Sequence, residues 1–413
     1  MFVSVRGRVL INVEALNMTE SVGNYVKHRR VPVILPTGGY TAFFVPAISG
    51  ESIAHGFQSV LANIGVRKGI PVCKLCSKGI FLKSTTEEVL KESFNLKGVP
   101  KNEHDIEKII VAGCLVEDVG GFLYAPRGGG QQVKRTSNFA TGYMIPVREA
   151  LESTVIEPQL HTRYALGTKY VRRDQRGQMI YYVELSSSVY TFSLDIDTRY
   201  IGRATYDIEH VGEELVNNRK ERIEATLEAF KVFLTEMLFG AKRTRFLPVV
   251  EWESLVIAVS DDVWTVLSPN AANYAWETIR KLDKTGVGNK VRLFIYINPD
   301  ILGETTEYIR KKTNELIETM KQIIEEWKRN VKEKLPEYAD KIDWEKIVKE
   351  KLEKLISERL SEVAESKDMR YHSLIQERYK KVLELSKGKN NIRIYDNLIE
   401  CVNDAIEEGM KRL

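Results

Sequence analysis

Cysteine is scarce, with four in 413 residues, too few for the disulfide framework of a small secreted module. No apolar run approaches the ~18 residues that a membrane helix needs. The opening MFVSVRGRVLINV alternates polar residues and lacks the plan of a signal peptide, so the chain reads as cytoplasmic with no membrane contact. GxSxG, HExxH and GxxxxGKS/T are all missing, which removes the nucleophile elbow, the zinc-protease helix and the Walker phosphate loop. Glu14, Glu20 and Asp118 stand alone instead of forming a spaced acid/base pair. There is no internal repeat and no low-complexity tract. Excess charge is lacking too. A formal net charge of +4 means that any polyanion-binding face is local.

The positive charge that exists sits where glycine and threonine leave the backbone open. KHRR occupies 27–30, RGGGQQVKRT occupies 127–136 and GAKRTRF occupies 240–246. Cations on uncovered backbone suit an irregular polyanion, because side chains and free N–H groups both reach phosphate oxygens. Single-stranded RNA is the first partner this implies. In NVEALNMTESVGNYVKHRR (12–30), Asn12, Asn17, Thr19, Ser21 and Asn24 offer amides and hydroxyls for phosphate and 2′-OH groups, and Lys27, His28, Arg29 and Arg30 supply charge. Arg127, Lys134 and Arg135 lie on a hairpin-like arm with a glycine tip, and Lys242, Arg243 and Arg245 follow Gly240. His28 and His161 would be the acid and base of a metal-free RNA cleavage. A histidine among arginines more often contacts phosphate, and no catalytic residue is assigned. A single CxxC, Cys73 and Cys76, needs two further ligands for tetrahedral zinc. Cys114, His104 and His55 are the available donors, but without a second paired motif ordinary loop cysteines are the reading, with no metal and no cofactor.

Periodicity gives the elements. Residues 2–15 read as a strand, with Val3, Val5, Gly7, Val9, Ile11 and Val13 on a core face and Ser4, Arg6, Arg8, Leu10, Asn12 and Glu14 on a polar, partly basic face. A hairpin crosses 37–39. Ser49 N-caps a helix starting near Gly50, whose first turn is a second candidate for phosphate. Residues 104–117 and 209–239 read as helices, the latter ending at Gly240, with another at 269–282. Residues 138–147, 159–166, 180–196, 247–259 and 291–298 read as extended. In the last of these, Arg292, Phe294, Tyr296 and Asn298 alternate as a face that suits a sheet covered on both sides, with base stacking as the alternative. Glycine falls from 24 before residue 300 to three after it, marking a body over 1–302 and a helical extension over 303–413. That extension has four apolar stripes, the second starting at Trp344 and the third running over Leu374–Leu383. The element order implies an α+β fold with a ferredoxin-like core and large insertions.

NVEALN, ESVGN, KHR, PAISGESIAHGFQ, DVGGFLYA with KRTS and GYMIP, LHTRYA, VELSSSVYTFSLDID and GAKRTRFLP follow one another in this order. Together they closely resemble the archaeal Csa-type backbone subunit of the subtype I-A CRISPR interference complex (Cascade), in the DevR branch of the RAMP superfamily, over roughly residues 1–300. The resemblance implies a modified ferredoxin-like, RRM-like palm with a thumb-like hairpin. It implies subunits that self-associate as a helical filament on CRISPR RNA beside other Cascade subunits, displaying the guide for target DNA in antiviral defence without cutting. It places Asn12, Asn17, Asn24, Lys27, His28 and Arg29 at the RNA cleft, Lys134 and Arg135 on the thumb, His161 and Arg163 near the cleft, and Lys242, Arg243 and Arg245 on the glycine-containing loop. The long tail and the CKLC pair depart from the family pattern. Two other readings remain. One is a guide-directed RNase, as in type III complexes, with Glu20 on a divalent ion. The other is a scaffold in which the tail is the protein-interaction module.

Overall fold

Alternating small apolar residues make Phe2–Glu14 (β1) the centre of the largest sheet. The computed structural model describes residues 1–36, 39–163, 179–299, 318–319, 321–334, 377–378 and 380–413. Beyond β1 the first half contains Met18–Val22 (β2), Tyr25–His28 (β3), the hairpin Arg30–Pro36 (β4) and Tyr40–Pro46 (β5), and Gly50–Lys68 (α1). Next come Glu87–Phe94 (α2), Glu103–Gly113 (α3), Leu115–Gly120 (α4), the short hairpin Phe122–Tyr124 (β6) and Val133–Arg135 (β7), and Phe139–Thr141 (β8). The second half runs Val155–Arg163 (β9), Met179–Asp197 (β10), Arg219–Glu236 (α5), Val249–Ser260 (β11), Tyr274–Thr285 (α6) and Val291–Ile297 (β12). After the tail come Ile392–Tyr395 (β13) and Leu398–Lys411 (α7).

The sheet order is β13-β12-β11-β1-β10-β3-β2, with β8 and β9 also paired to β10. β1 lies antiparallel to both β10 and β11, with Phe2 opposite Asp197 and Glu14 opposite Ser186. The 19-residue β10 therefore spans the body. Its start pairs with β9 and β3, and its end pairs with β8. The fold is α+β with a mixed sheet.

One face of the sheet carries α1, α5 and α7. Phe57, Leu61, Phe230, Phe233, Val402 and Ile406 join Val5, Val9, Ile11, Phe192 and Leu194 in the main core. Ser49 caps α1 as its sequence implies, its side chain accepting from the Ser52 amide. The other face of β1, polar and partly basic in sequence, is covered as well. Arg8 is wholly buried, with Nη1 donating to Glu149 and the Pro269 carbonyl and Nε 2.7 Å from Glu253. Ser4 Oγ accepts from the Val266 amide. A smaller core under the β6–β7 hairpin joins Leu90, Ile106, Ile110, Phe122, Tyr124, Val133 and Leu215.

Several expected elements change shape. The 104–117 helix breaks at Cys114, whose φ of −152° is extended. The 209–239 helix starts only at Arg219, because residues 204–215 are tied into an irregular loop by Ala204–Glu213, Gly212–Ala204 and Leu215–Gly202 backbone bonds. It ends at Met237, ahead of Gly240. The Arg292/Phe294/Tyr296 face is no stacking platform. Phe294 and Tyr296 are buried in the core that also holds Val402 and Ile406 of α7, and Arg292 pairs with Glu408 of the same helix.

The division of the chain also differs from a cut at 302/303. One unit comprises Met1–Ile297 with Leu385–Leu413, and the other Asn298–Glu384. NNIRIY (390–395) forms a strand that pairs parallel with β12, and α7 packs on the same sheet, so the last residues of the expected extension belong to the body. In the second unit, 321–334 is helical. The stripe beginning at Trp344 lies outside the described residues. Among the described residues no helix is long and apolar enough to cross a membrane.

Candidate nucleic-acid interface

Where β1 leaves the sheet, a buried carboxylate organises the chain. Glu14 is fully buried. Its Oε2 accepts from the Leu16 amide at 2.7 Å, and its Oε1 accepts from the Tyr190 hydroxyl at 2.9 Å and from His28 Nε2 at 2.6 Å. A register shift between Ile11 and Glu14 turns Glu14 inward and leaves Val13 half exposed at φ 57°. Glu184 on β10 is the second anchor, accepting from the His28 amide, the Tyr25 hydroxyl and Arg30 Nη2. These bonds fix the 14–30 segment against β10.

His28 is therefore a structural residue and is removed from the RNA-contact set. The residue is 2 % exposed. Nδ1 lies 2.9 Å from the Arg29 carbonyl and Nε2 2.6 Å from a Glu14 carboxylate oxygen, two acceptors that favour the doubly protonated ring. Burial alone would push its pKa down, but the Glu14 carboxylate and the Arg29 carbonyl outweigh burial and raise it. A raised folded-state pKa stabilises the fold fully below the unfolded histidine value, and the contribution disappears as pH climbs through the folded value. Thermal melts are expected to show Tm falling across that upper interval in the wild type. In His28→Gln this component is expected to be missing.

Asn17 and Arg29 clasp each other. Arg29 Nε donates to Asn17 Oδ1 at 2.5 Å, and the Arg29 amide donates to the Asn17 carbonyl. Asn17 Oδ1 also accepts from the Ser49 amide. Two amides at the start of α1 are already bonded, Ser49 to Asn17 Oδ1 and Ser52 to Ser49 Oγ. The 240–246 loop follows the same track. Gly240, at φ 90°, lies so close to Leu16 that a Cβ would meet it at 2.7 Å, and the Ala241 amide donates to the Leu16 carbonyl. Lys242 is held at φ 56°, and burial, reinforced by Arg245, lowers its pKa. Arg243 Nη1 donates to the Met237 carbonyl, and Arg245 is exposed. His161 stacks on Tyr181 and meets Phe246 edge-on, which ties β9 to this loop.

Asn12, Asn17, Asn24, Lys27, Arg29, His161, Lys242, Arg243 and Arg245 thus gather at one end of β1 and β10. Asn24 donates to the Ile180 carbonyl there. A groove of about 540 Å³ lined by Thr19, Val22, Tyr25, Lys27, His28, Arg29, Arg30 and Glu184 opens on the same side. Backbone strain concentrates here too. Among the described residues, four non-glycine residues have positive φ; Asn95 and Met237 cap helices, while Val13 and Lys242 lie at this site. A β-branched residue in that region is an outlier that surrounding structure must enforce. The Arg163 side chain lies outside the described ones.

The glycine-rich arm is elsewhere. Asp197, next to Asn138 and Tyr200, is at the far end of β10, about eleven residues or roughly 36 Å from Ser186. Arg127 and Lys134 are exposed on that arm. Arg135 is not, and it too leaves the RNA-contact set. It is 4 % exposed, pairs with Glu107 at 2.9 Å and Asp118 at 2.6 Å, and donates to the carbonyls of Arg203 and Tyr200. Sequence reasoning took Glu14 for an isolated carboxylate and missed Glu184, Ser186 and Tyr190. The signal was present, since Glu184, Ser186 and Tyr190 share one face of a strand, where buried polar groups must bond one another.

A family model described as CRISPR-associated negative auto-regulator DevR/Csa2 matches residues 5–279. The Saccharolobus solfataricus protein named CRISPR-associated aCascade subunit Cas7/Csa2 2 is 38% identical over 306 residues, covering 71% of this chain and 91% of its own length. CRISPR-associated protein Cas7/Csa2 1 of the same organism is 37% identical over 266 residues, covering 63% and 80%. A chain of a solved CRISPR RNA-guided surveillance complex aligns over 72% of this chain and 89% of its own length, at 11% identity and a TM-score of 0.38.

Proposed function

The chain belongs to the DevR/Csa2 family of CRISPR-associated proteins, and from that premise we propose that it is a non-catalytic backbone subunit of a Cascade interference complex. It holds guide RNA by the sugar–phosphate track and leaves base edges free to pair with target DNA. The observation that carries this reading is the convergence of Lys27, Arg29, Lys242, Arg243 and Arg245 with Asn12, Asn17 and Asn24 beside the strained backbone of Val13 and Lys242. Those groups suit phosphate and ribose, with no arrangement for reading one base.

The palm reading is finer than the α+β class. Taking β1, α1, β9, β10, α5 and β11 in chain order gives a βαββαβ unit whose strands lie β11-β1-β10-β9, which supports a ferredoxin-like core. The β6–β7 hairpin, with Arg127 and Lys134 exposed, is then the thumb. Because it sits at the far end of β10, head-to-tail association would bring it to a neighbour's RNA track.

If the five cations each meet a phosphate, log affinity for single-stranded RNA is expected to fall with log salt at a slope near −0.7 × 5, about −3.5. Filter binding across a salt series on several unrelated sequences measures it. RNA is also expected to copurify and to template assemblies whose length follows the guide. An affinity indifferent to salt would remove the reading. Regularly spaced, metal-dependent cuts in a complementary RNA would replace it with the RNase reading.

A further inference from the structure

The loop that carries CKLC folds back so that Cys114, 38 residues beyond Cys76, joins the pair. The sulfurs of Cys73, Cys76 and Cys114 all lie within 4.8 Å of one another, and all three residues are buried. His55 and His104 lie apart from this cluster. His55 packs on Phe81 and His104 on His210. The fourth group is one that the spacing of cysteines does not reveal. Glu117, in the first turn of α4, is fully buried, and its Oε1 lies 2.8 Å from Cys76 Sγ and accepts from the Leu82 amide. Its other oxygen, Oε2, is buried with no hydrogen-bond partner.

Buried free cysteines are ordinarily small apolar residues, and three of them need no explanation. A buried carboxylate that bonds Cys76 Sγ and keeps an orphan oxygen does, because desolvating that group without a partner is costly. The turn around the pair has the shape of a metal knuckle. The Cys76 amide points to Cys73 Sγ at 3.5 Å, Ser77 N bonds the Cys73 carbonyl, and Gly79 closes the turn at φ 76°. In a tetrahedral site with bonds near 2.3 Å, sulfur–sulfur edges are roughly 3.8 Å, so the observed spread needs to contract by no more than about 1 Å.

We propose that Cys73, Cys76, Cys114 and Glu117 form a structural zinc site. Thiolates with one carboxylate match borderline-soft Zn²⁺ better than hard cations. On binding, the three thiols release their protons and the metal takes the sulfur and carboxylate electron pairs, with no change in oxidation state. The site would clamp the 69–83 loop to the break between α3 and α4, where the Leu115 amide already bonds the Pro71 carbonyl. Lys83, which donates to the Gly120 carbonyl, is the nearby positive charge that offsets the anionic ligand set.

The test is metal analysis of the full chain, expressed in zinc-supplemented medium and purified under reductant without chelator. About one zinc per chain is expected to survive gel filtration. Titration of the zinc-stripped protein with Co²⁺ is expected to give thiolate-to-cobalt charge-transfer bands and intense tetrahedral d–d bands. Cys73→Ser is expected to lose the zinc. Glu117→Gln, which keeps the side-chain volume, is expected to weaken Co²⁺ binding at least tenfold, and Cys401→Ala, at a buried cysteine outside the cluster, to keep both zinc and spectrum. Folded wild-type protein that carries no zinc and gives no Co²⁺ spectrum would overturn the site. So would peptide mapping that finds two of the three cysteines joined as a disulfide.

Discussion

Replacing Arg135 by methionine is expected to cost about 3–5 kcal/mol of stability, the penalty for removing one partner of a buried ion pair. Arg135 sits between Glu107 and Asp118, with side chains of all three fully buried. Its guanidinium also donates to the Asp118, Arg203 and Tyr200 carbonyls. Asp118 keeps Arg222 at 3.0 Å and the Gly202 amide, and Glu107 keeps the Thr205 and Tyr206 amides. Glu107 nevertheless loses its only cation among the described ion pairs. At about 2–4 °C per kcal/mol for a body of this size, the melting temperature is expected to drop on the order of 10 °C, read by calorimetry. Measured well below that midpoint, RNA affinity is expected to match the wild type. Lost affinity in folded R135M protein would return Arg135 to the RNA-contact set.

Arg135 also shows where the sequence stops being legible. In KRTS, Lys134 and Arg135 are adjacent cations, and nothing local separates them. On a strand they point to opposite sides, Lys134 outward and Arg135 onto carboxylates 17 and 28 residues earlier in the chain. His28 fails in the same way, since the carboxylate that buries it arrives from Glu14 across a register shift. Short-range pattern did reveal β1, the capped start of α1, the β4–β5 hairpin and the apolar stripe of α7. These elements depend on alternation, a cap or a helical repeat that lies within a few residues. The strand at 392–395 was hidden because four residues in a charged helical tail carry too little period to register. The loops at 12–30 and 240–246 were legible as cationic, but their meeting rests on Leu16 and Gly240, residues with no charge.

Reversing Lys242 and Arg245 to glutamate is expected to weaken guide binding roughly 100-fold or more, because like charges set against phosphates cost several kcal/mol and about 3 kcal/mol is that factor. Arg243 is left intact in this variant, since its guanidinium holds the Met237 carbonyl at the end of α5 and its loss would confuse folding with binding. The salt slope is expected to flatten by about 1.4, two phosphate contacts at 0.7 each. The loss is expected to be equal for unrelated guides, whereas a loss confined to one sequence would mean base readout. Lys242 permits a sharper version. Its φ of 56° costs a side-chain-bearing residue on the order of 1 kcal/mol that glycine escapes. If the loop merely turned, glycine would serve better there. Lys242→Gly is therefore expected to melt at or above the wild-type temperature while binding RNA more weakly. Stability and affinity moving in opposite directions at one residue is the signature of strain retained for a ligand. Unchanged affinity in K242G protein would strip the loop of that role.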